Sequence, residues 1–214
     1  MPSSTKYFID FDSTFTKVEA LDVLAEIVLD NHPNKKAICE QIEHLTKEAM
    51  QGNLSFDIAL KKRLDLLPIN AQDIQTLIHI LETKISNSFI QYKQLLQQHA
   101  TQVYIISGGF IDFIAPIVFP FGITPEHIFA NQFIYNSHQQ VIGYDTTNFL
   151  SQPKGKVLQL QSLNLNPEQC IIIGDGFTDY EIRQAGLAKS FYLYCENITR
   201  ENLIPKADQI GRAL

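Results

Sequence analysis

Two acids stand two residues apart after a short apolar run, where Tyr7-Phe8-Ile9 leads into Asp10-Phe11-Asp12-Ser13-Thr14. On a continuing strand, residues i and i+2 face the same way, so both carboxylates would point to one side. One carboxylate of such a pair can attack as a nucleophile. The other can protonate a leaving group and then activate water. That second role needs a raised pKa, which burial and a neighbouring carboxylate supply. Two further acids, Asp175 and Asp179, lie in Gly174-Asp175-Gly176-Phe177-Thr178-Asp179. Four carboxylates at one edge are costly without a counter-charge, so a cation is expected. Oxygen donors without His or Cys favour magnesium (Mg2+) over zinc. Lys154 and the Ser107-Gly108-Gly109 turn, opening a helix, form a candidate anion cradle, because glycine admits close backbone approach and free amides at a helix start face the anion. A hard cation, a lysine and such a cradle together point to phosphoryl transfer.

These residues need a scaffold that brings them to one edge. Tyr7-Phe8-Ile9, Val103-Tyr104-Ile105-Ile106, Cys170-Ile171-Ile172-Ile173 and Phe191-Tyr192-Leu193-Tyr194 read as buried strands. Helical spacing runs from Val18 through Leu21, Leu24, Ala25 and Val28, and from Ala37 to Ala49, where Gly52 stops it. Ser55 is a candidate cap for a helix ending before Pro68, and residues 71–81 form another. Further helices are expected over 88–99, 110–119, 156–163, 179–185 and 199–204. Residues 131–135 and 141–145 flank Asn136-Ser137-His138-Gln139 as a hairpin. The fold class is therefore α/β, a Rossmann-like parallel sheet core with helices on both faces, plus an inserted helical-bundle cap. The boundaries are a core of 1–14 and 84–214 and a cap of 15–83. In open α/β sheets, ligands bind beyond the carboxyl ends of the strands, where all three polar segments fall.

The 214 residues suit one domain with a modest insertion. A net charge of −6 argues against nucleic acid or anionic membrane as partner. Cys39, Cys170 and Cys195 form no CxxC pair and read as reduced thiols. No segment has the length of a signal peptide or membrane span, and residues 110–123 are interrupted by Asp112 and two prolines. A cytoplasmic chain, monomer or homodimer, is expected.

Taken together, Asp-x-Asp-Ser-Thr, Ser-Gly-Gly, Lys-Gly and Gly-Asp-Gly-x-Thr-Asp, in this order, resemble the haloacid dehalogenase superfamily of aspartyl-phosphate phosphatases. Along nearly the whole chain the resemblance narrows toward the phosphoserine phosphatase family. It implies Asp10 as nucleophile and metal ligand, and Asp12 as acid/base with its main-chain carbonyl on magnesium. It implies Asp175 as the third ligand, with Asp179 behind it orienting metal-bound water or Lys154. Ser107, Gly108 and Lys154 would hold the phosphate. Glu19 would meet the substrate ammonium and Arg63 its carboxylate, with Met50 and Phe56 as pocket walls. Without the resemblance, Met50 and Phe56 would read as core residues, Arg63 as part of a basic face with Lys61 and Lys62, and Glu19 as a first-turn helix acid. Thr178 has two readings, a substrate-side role or the start of a helix through the capping box Thr178-Asp179-Tyr180-Glu181. The implied substrate is a small phosphorylated amino acid, O-phosphoserine in the last step of serine biosynthesis. The alternatives are another small ester such as phosphohomoserine, a phosphotransferase, or a catalytically silent binding or regulatory domain.

Overall fold

Along the central strands, successive apolar residues point to opposite faces. Phe8 packs on one side with Ile106, Ile172 and Phe191, while Ile9 packs on the other with Ile105 and Ile173. This period-2 alternation, apolar on both sides, is what a strand covered by helices on both faces requires. The computed structural model of the protein describes residues 5–211. Residues 1–4, on which the expectation about a signal peptide partly falls, and 212–214 lie outside the described residues.

In chain order the elements are β1 (Lys6–Ile9), α1 (Ala20–Val28), α2 (Lys35–Gln51), α3 (Phe56–Leu64), α4 (Ala71–Glu82), α5 (Asn87–Gln91) and α6 (Lys93–Gln98). They continue as β2 (Val103–Phe110), α7 (Ile111–Val118), β3 (Ile128–Asn131), β4 (Phe133–Tyr135), β5 (Val141–Tyr144) and α8 (Gly155–Ser162). Last come β6 (Cys170–Gly174), α9 (Phe177–Gln184), β7 (Ser190–Tyr194) and β8 (Gln209–Gly211). Six strands form one sheet in the order β3-β2-β1-β6-β7-β8, and every pairing in it is parallel. Chain order reverses at β1, so the crevice beyond Ile9 is the topological switch point at which such sheets bind ligands. The antiparallel pair β4–β5 is the expected hairpin.

The helices α1 to α4 share one apolar cluster with Ile9, β2 and α7, through residues such as Leu24, Ile42, Leu60 and Leu77. The opposite face is covered by α8 and α9 through Leu160 and Ile182. Gly52 ends α2 in the left-handed conformation, as its position predicts. The chain closing α4 is held at its start by Asn70, whose side chain accepts from Gln72 and Asp73 amides.

Several local expectations give way to the tertiary structure. The segment 88–99 is two short helices broken at Tyr92. Ser55 precedes α3 without capping it, since its hydroxyl turns to the Asp57 carboxylate instead. Ser107-Gly108-Gly109 is not a turn opening a helix. It is the last part of β2, with a register shift against β3 between Ile106 and Phe110, and α7 begins only at Ile111. The last expected helix is a 3-10 segment, Glu201–Lys206. Among the described residues no helix is long and apolar enough to cross a membrane.

Candidate active site

The strand ends at Ile9, so Asp10 and Asp12 do not share a side because of strand alternation. The chain enters a wide turn in which the Phe15 amide donates to the Asp10 carbonyl (3.3 Å) and the Thr16 amide to the Phe11 carbonyl (2.9 Å). Ser13 takes φ 54°, the left-handed region. Both carboxylates nevertheless border one enclosed pocket, together with Glu19, Met50, Phe56 and Arg63. Leu21, Gly108, Gly109, Lys156 and Thr178 complete its wall. The void within is about 20 Å³, room for about one water molecule.

Asp12 is fixed by the start of α1, where the Ala20 amide donates to its Oδ1 at 2.7 Å. Burial, reinforced by the charge of Glu19, holds its pKa well above the usual carboxylate range despite that bond. Asp12 is thus suited to carry a proton, as the acid role demands. Asp10 lies buried, and its Oδ1 meets the Lys156 ammonium at 2.8 Å. The same ammonium meets Asp179 Oδ1 at 2.7 Å. Burial alone would lower the Lys156 pKa, but the two carboxylates outweigh it and keep the ammonium charged.

Lys154, expected to hold the phosphate, borders an adjoining small pocket with Phe56, Gly108, Lys156 and Thr178. Lys154 is exposed and occupies the left-handed position just before α8, with φ 57°. The lysine that reaches the acids is Lys156, two residues on and inside the helix. Gly155 between them packs so closely that a Cβ there would come within 2.4 Å of the Phe149 carbonyl oxygen. Lys156 and Leu160 are both buried, one helical turn apart. That i,i+4 relation was the available sequence signal.

Asp175 is pushed up to about 7 by burial, against the opposing charge of Arg200. Arg200 Nη2 and Nε lie 2.7 and 2.8 Å from Asp175 Oδ2. Thr14 donates to Asp175 Oδ1 at 3.2 Å, and Ser13 to Glu19 Oε1 at 2.6 Å. Burial also raises Glu19, with Asp22 adding to it. Arg63, only 3% exposed, donates to Thr46 Oγ1 at 3.1 Å, and Thr46 donates to Asp22 at 2.8 Å. Six carboxylates (Asp10, Asp12, Glu19, Asp22, Asp175, Asp179) therefore face three cationic side chains (Lys156, Arg63, Arg200). Asp10, Asp175 and Asp179 each offer an oxygen within 4.8 Å of the others, a hard-donor set that fits a divalent cation. The trio counts carboxylate oxygens alone, whereas Asp12 was expected to contribute its main-chain carbonyl.

The anion side of the pocket is the bulged end of β2. Ser107 is fully buried and its Oγ accepts from the Gly109 amide at 2.9 Å. Gly108 lies directly under the Phe56 ring, where a Cβ would come within 2.1 Å of the ring's far carbon. Met50 Sδ lies 3.0 Å from where a Gly176 Cβ would stand, so the end of α2 touches the Gly-Asp-Gly loop. Thr178 borders the pocket and does not begin a helix. Asp179 supplies that function by accepting from the Gly176 amide at 3.1 Å. Sequence reasoning missed Lys156, Arg200, Asp22 and Thr46. A larger cavity of about 750 Å³ opens beyond Glu19, lined by Asp22, Thr46, Lys47, Arg200 and Glu201.

A carboxylate pair at the switch point, an adjoining anion cradle and an acidic trio define a phosphoryl-transfer site on a doubly wound sheet. The haloacid dehalogenase-like hydrolase family model matches residues 7–185, and the chain belongs to that family. Its relatives place it among the phosphoserine phosphatase-like members, which are phosphoric monoester hydrolases. The chloroplastic phosphoserine phosphatase of Arabidopsis thaliana is 31% identical over 93% of this chain, and the match spans 65% of that enzyme. The phosphoserine phosphatase of Homo sapiens is 29% identical over 80% of this chain and 74% of its own length. A phosphoserine phosphohydrolase-like protein from Francisella tularensis superposes with a TM-score of 0.85 at 30% identity, covering 97% of this chain and 94% of that one. A substrate-bound phosphoserine phosphatase shares the fold, with a TM-score of 0.77 at 22% identity over 98% of this chain and 93% of that one.

Proposed function

We propose that the chain is a magnesium-dependent phosphatase that hydrolyses O-phosphoserine to serine and phosphate through an aspartyl-phosphate at Asp10. The observation that carries this reading is that Arg63 and Glu19 border the same enclosed pocket as Asp10 and Asp12. A guanidinium suits the substrate carboxylate, which it can grip with two parallel hydrogen bonds. Glu19 suits the ammonium. Met50 and Phe56 exclude water from the reacting centre. The phosphorylated amino-acid substrates named for the relatives have both of these charged groups beside the phosphate.

Asp10 attacks phosphorus while Asp12 gives its proton to the departing serine oxygen. Asp12, now a carboxylate, then takes a proton from water, which attacks the phosphoryl group and frees Asp10 and phosphate. Ser107, the Gly108 amide and Lys154, as the sequence suggests, hold the phosphoryl oxygens, together with the buried Lys156. Magnesium, held by Asp10 and Asp175 with the Asp12 carbonyl or the Asp179 carboxylate, would supply charge neutralisation at those oxygens. Thr178 lies on the substrate side. Residues 15–83 act as a cap over a core of 1–14 and 84–214. A void of about 20 Å³ cannot hold phosphoserine, so wall residues such as Met50 and Phe56 give way when substrate enters.

The test is a panel of small phosphate esters with magnesium: phosphoserine, phosphothreonine, phosphohomoserine, phosphocholine and para-nitrophenyl phosphate. Phosphoserine is expected to show the highest kcat/KM. Arg63→Ala should lower kcat/KM for phosphoserine by about 100-fold, the loss of a charged hydrogen-bonded partner, and leave the uncarboxylated ester nearly unchanged. Equal losses on both esters would contradict the assignment of Arg63.

A further inference from the structure

The loop that carries Asp10 and Asp12 has little regular structure of its own. Two main-chain hydrogen bonds close its wide turn, and Ser13 sits at positive φ, a conformation that a non-glycine residue holds only when its surroundings impose it. Yet its side chains reach both halves of the site, Ser13 to Glu19 and Thr14 to Asp175. Main-chain bonds from the Ser13 amide to the Val18 carbonyl (3.2 Å) and from the Ser86 amide to the Phe15 carbonyl (3.0 Å) hold its far end, while the carbonyls of Ser13, Thr14 and Thr16 turn elsewhere.

Its carbonyls converge on one side chain from the far end of the chain. Asn197 follows β7, three residues before Arg200. Its Nδ2 lies 3.0 Å from the Ser13 carbonyl oxygen, 3.3 Å from that of Thr16 and 3.4 Å from that of Thr14. It also lies 2.7 Å from Ser86 Oγ. Ser86, fully buried, spends its own proton on the Thr14 carbonyl at 2.6 Å, so it accepts from Asn197. The polarity of the chain is therefore fixed as amide to hydroxyl to carbonyl. A reversed amide would set its oxygen against three carbonyl oxygens, so the acceptors also fix the orientation of the Asn197 side chain.

We propose that Asn197 is a positioning residue for the nucleophile loop. One amide hydrogen goes to Ser86, which passes its own to the Thr14 carbonyl, and the other goes to the Ser13 carbonyl with Thr16 close beside it; together they set where Asp10 and Asp12 stand relative to the phosphate cradle. The same loop brings Arg200 to Asp175, so one segment beyond β7 braces both sides of the site. This inference rests on the proposed role of Asp10.

The experiment compares Asn197→Ala, Asn197→Asp and the milder Ser86→Ala with the wild type. Asn197→Asp keeps the shape but presents a carboxylate to the carbonyls. The substrates are phosphoserine and para-nitrophenyl phosphate, so that grip on the amino acid is separated from placement of the nucleophile. Displacing reacting groups by about 1 Å can cost about 100-fold, and a loss of kcat of that order is expected on both esters for both Asn197 variants. KM should stay within about threefold, as for an interaction that acts on the reacting centre rather than on binding. Ser86→Ala should fall between these variants and the wild type. Circular dichroism should show all three folded at the assay temperature. Folded variants with kcat near the wild-type value, a loss confined to KM, or failure of both Asn197 variants to fold would each overturn the inference. An active wild type with undisturbed variants would overturn the inference alone. A wild type inert toward every ester would overturn the proposed function, and this inference with it.

Discussion

Replacing Lys156 by methionine removes one charge from between two buried carboxylates while keeping most of the volume of the stem. Its ammonium meets Asp10 at 2.8 Å and Asp179 at 2.7 Å, and the lysine side chain is 7% exposed. Removing one partner of a buried ion pair leaves an uncompensated charge and costs about 3–5 kcal/mol. In a protein of this size each kcal/mol moves the unfolding midpoint by about 2–4 °C, so a fall of roughly 6–20 °C is expected. Lys154→Met is the control. That side chain is exposed, and such surface changes stay within about 0.5 kcal/mol. Thermal unfolding in the presence of a chelator reads the difference without help from a divalent cation. With magnesium restored, Lys156→Met should also lose about 100- to 1000-fold in kcat, the scale for removing one preorganised group from a developing anion. Equal shifts of the unfolding midpoint for the two substitutions, or a larger shift at Lys154, would refute the reasoning that places the buried charge at Lys156.

Gly174→Ala should be severe, because its Cβ would lie 2.3 Å from the Asp179 carboxyl. Overpacking of this kind costs about 1–3 kcal/mol, and the displaced Asp179 would loosen Lys156, so both the urea midpoint and kcat should fall. Thr46→Val removes the hydroxyl between Arg63 and Asp22. It should raise KM for phosphoserine by about tenfold, the scale of one buried hydrogen bond, with little effect on para-nitrophenyl phosphate. Asp208 lies outside the site, and its hydrogen bond from Arg183 holds its carboxyl below the usual range. A lowered folded pKa adds stability above the ordinary carboxylate range and loses it as pH falls through the lowered value. Asp208→Asn should therefore unfold at lower urea than the wild type at neutral pH, with the gap closing in acid.

What the sequence made legible was local. A run such as Tyr7-Phe8-Ile9 ending in two acids, or Gly52 after a periodic helix, carries its own signal, and these elements form where expected. The core site residues Asp10, Asp12 and Asp175 follow from position at strand ends. Lys154 stands just before α8 in the left-handed conformation, and Lys156 lies inside the helix. The neighbouring Lys-Gly pair drew attention to the first, while the turn-spaced Leu160 marked the second as inward-facing. Ser107-Gly108-Gly109 reads locally as a turn, but pairing with the distant β3 draws it into a bulged strand. Arg200 and Asn197 had no local signal, since their partners at Asp175, Ser13 and Ser86 are joined to them only by the fold. The expected capping box at Thr178 failed because Asp179 bonds back to Gly176.

The central claim is that Asp10 becomes covalently phosphorylated. The direct measurement is to quench the enzyme during turnover of phosphoserine, reduce it with borohydride and sequence the peptides by mass spectrometry. An acyl phosphate at Asp10 is reduced to the alcohol, so homoserine at position 10, absent without substrate and absent in Asp10→Asn, is the predicted result. Turnover with no reduced residue at position 10, or with the modification at another carboxylate, would contradict the account.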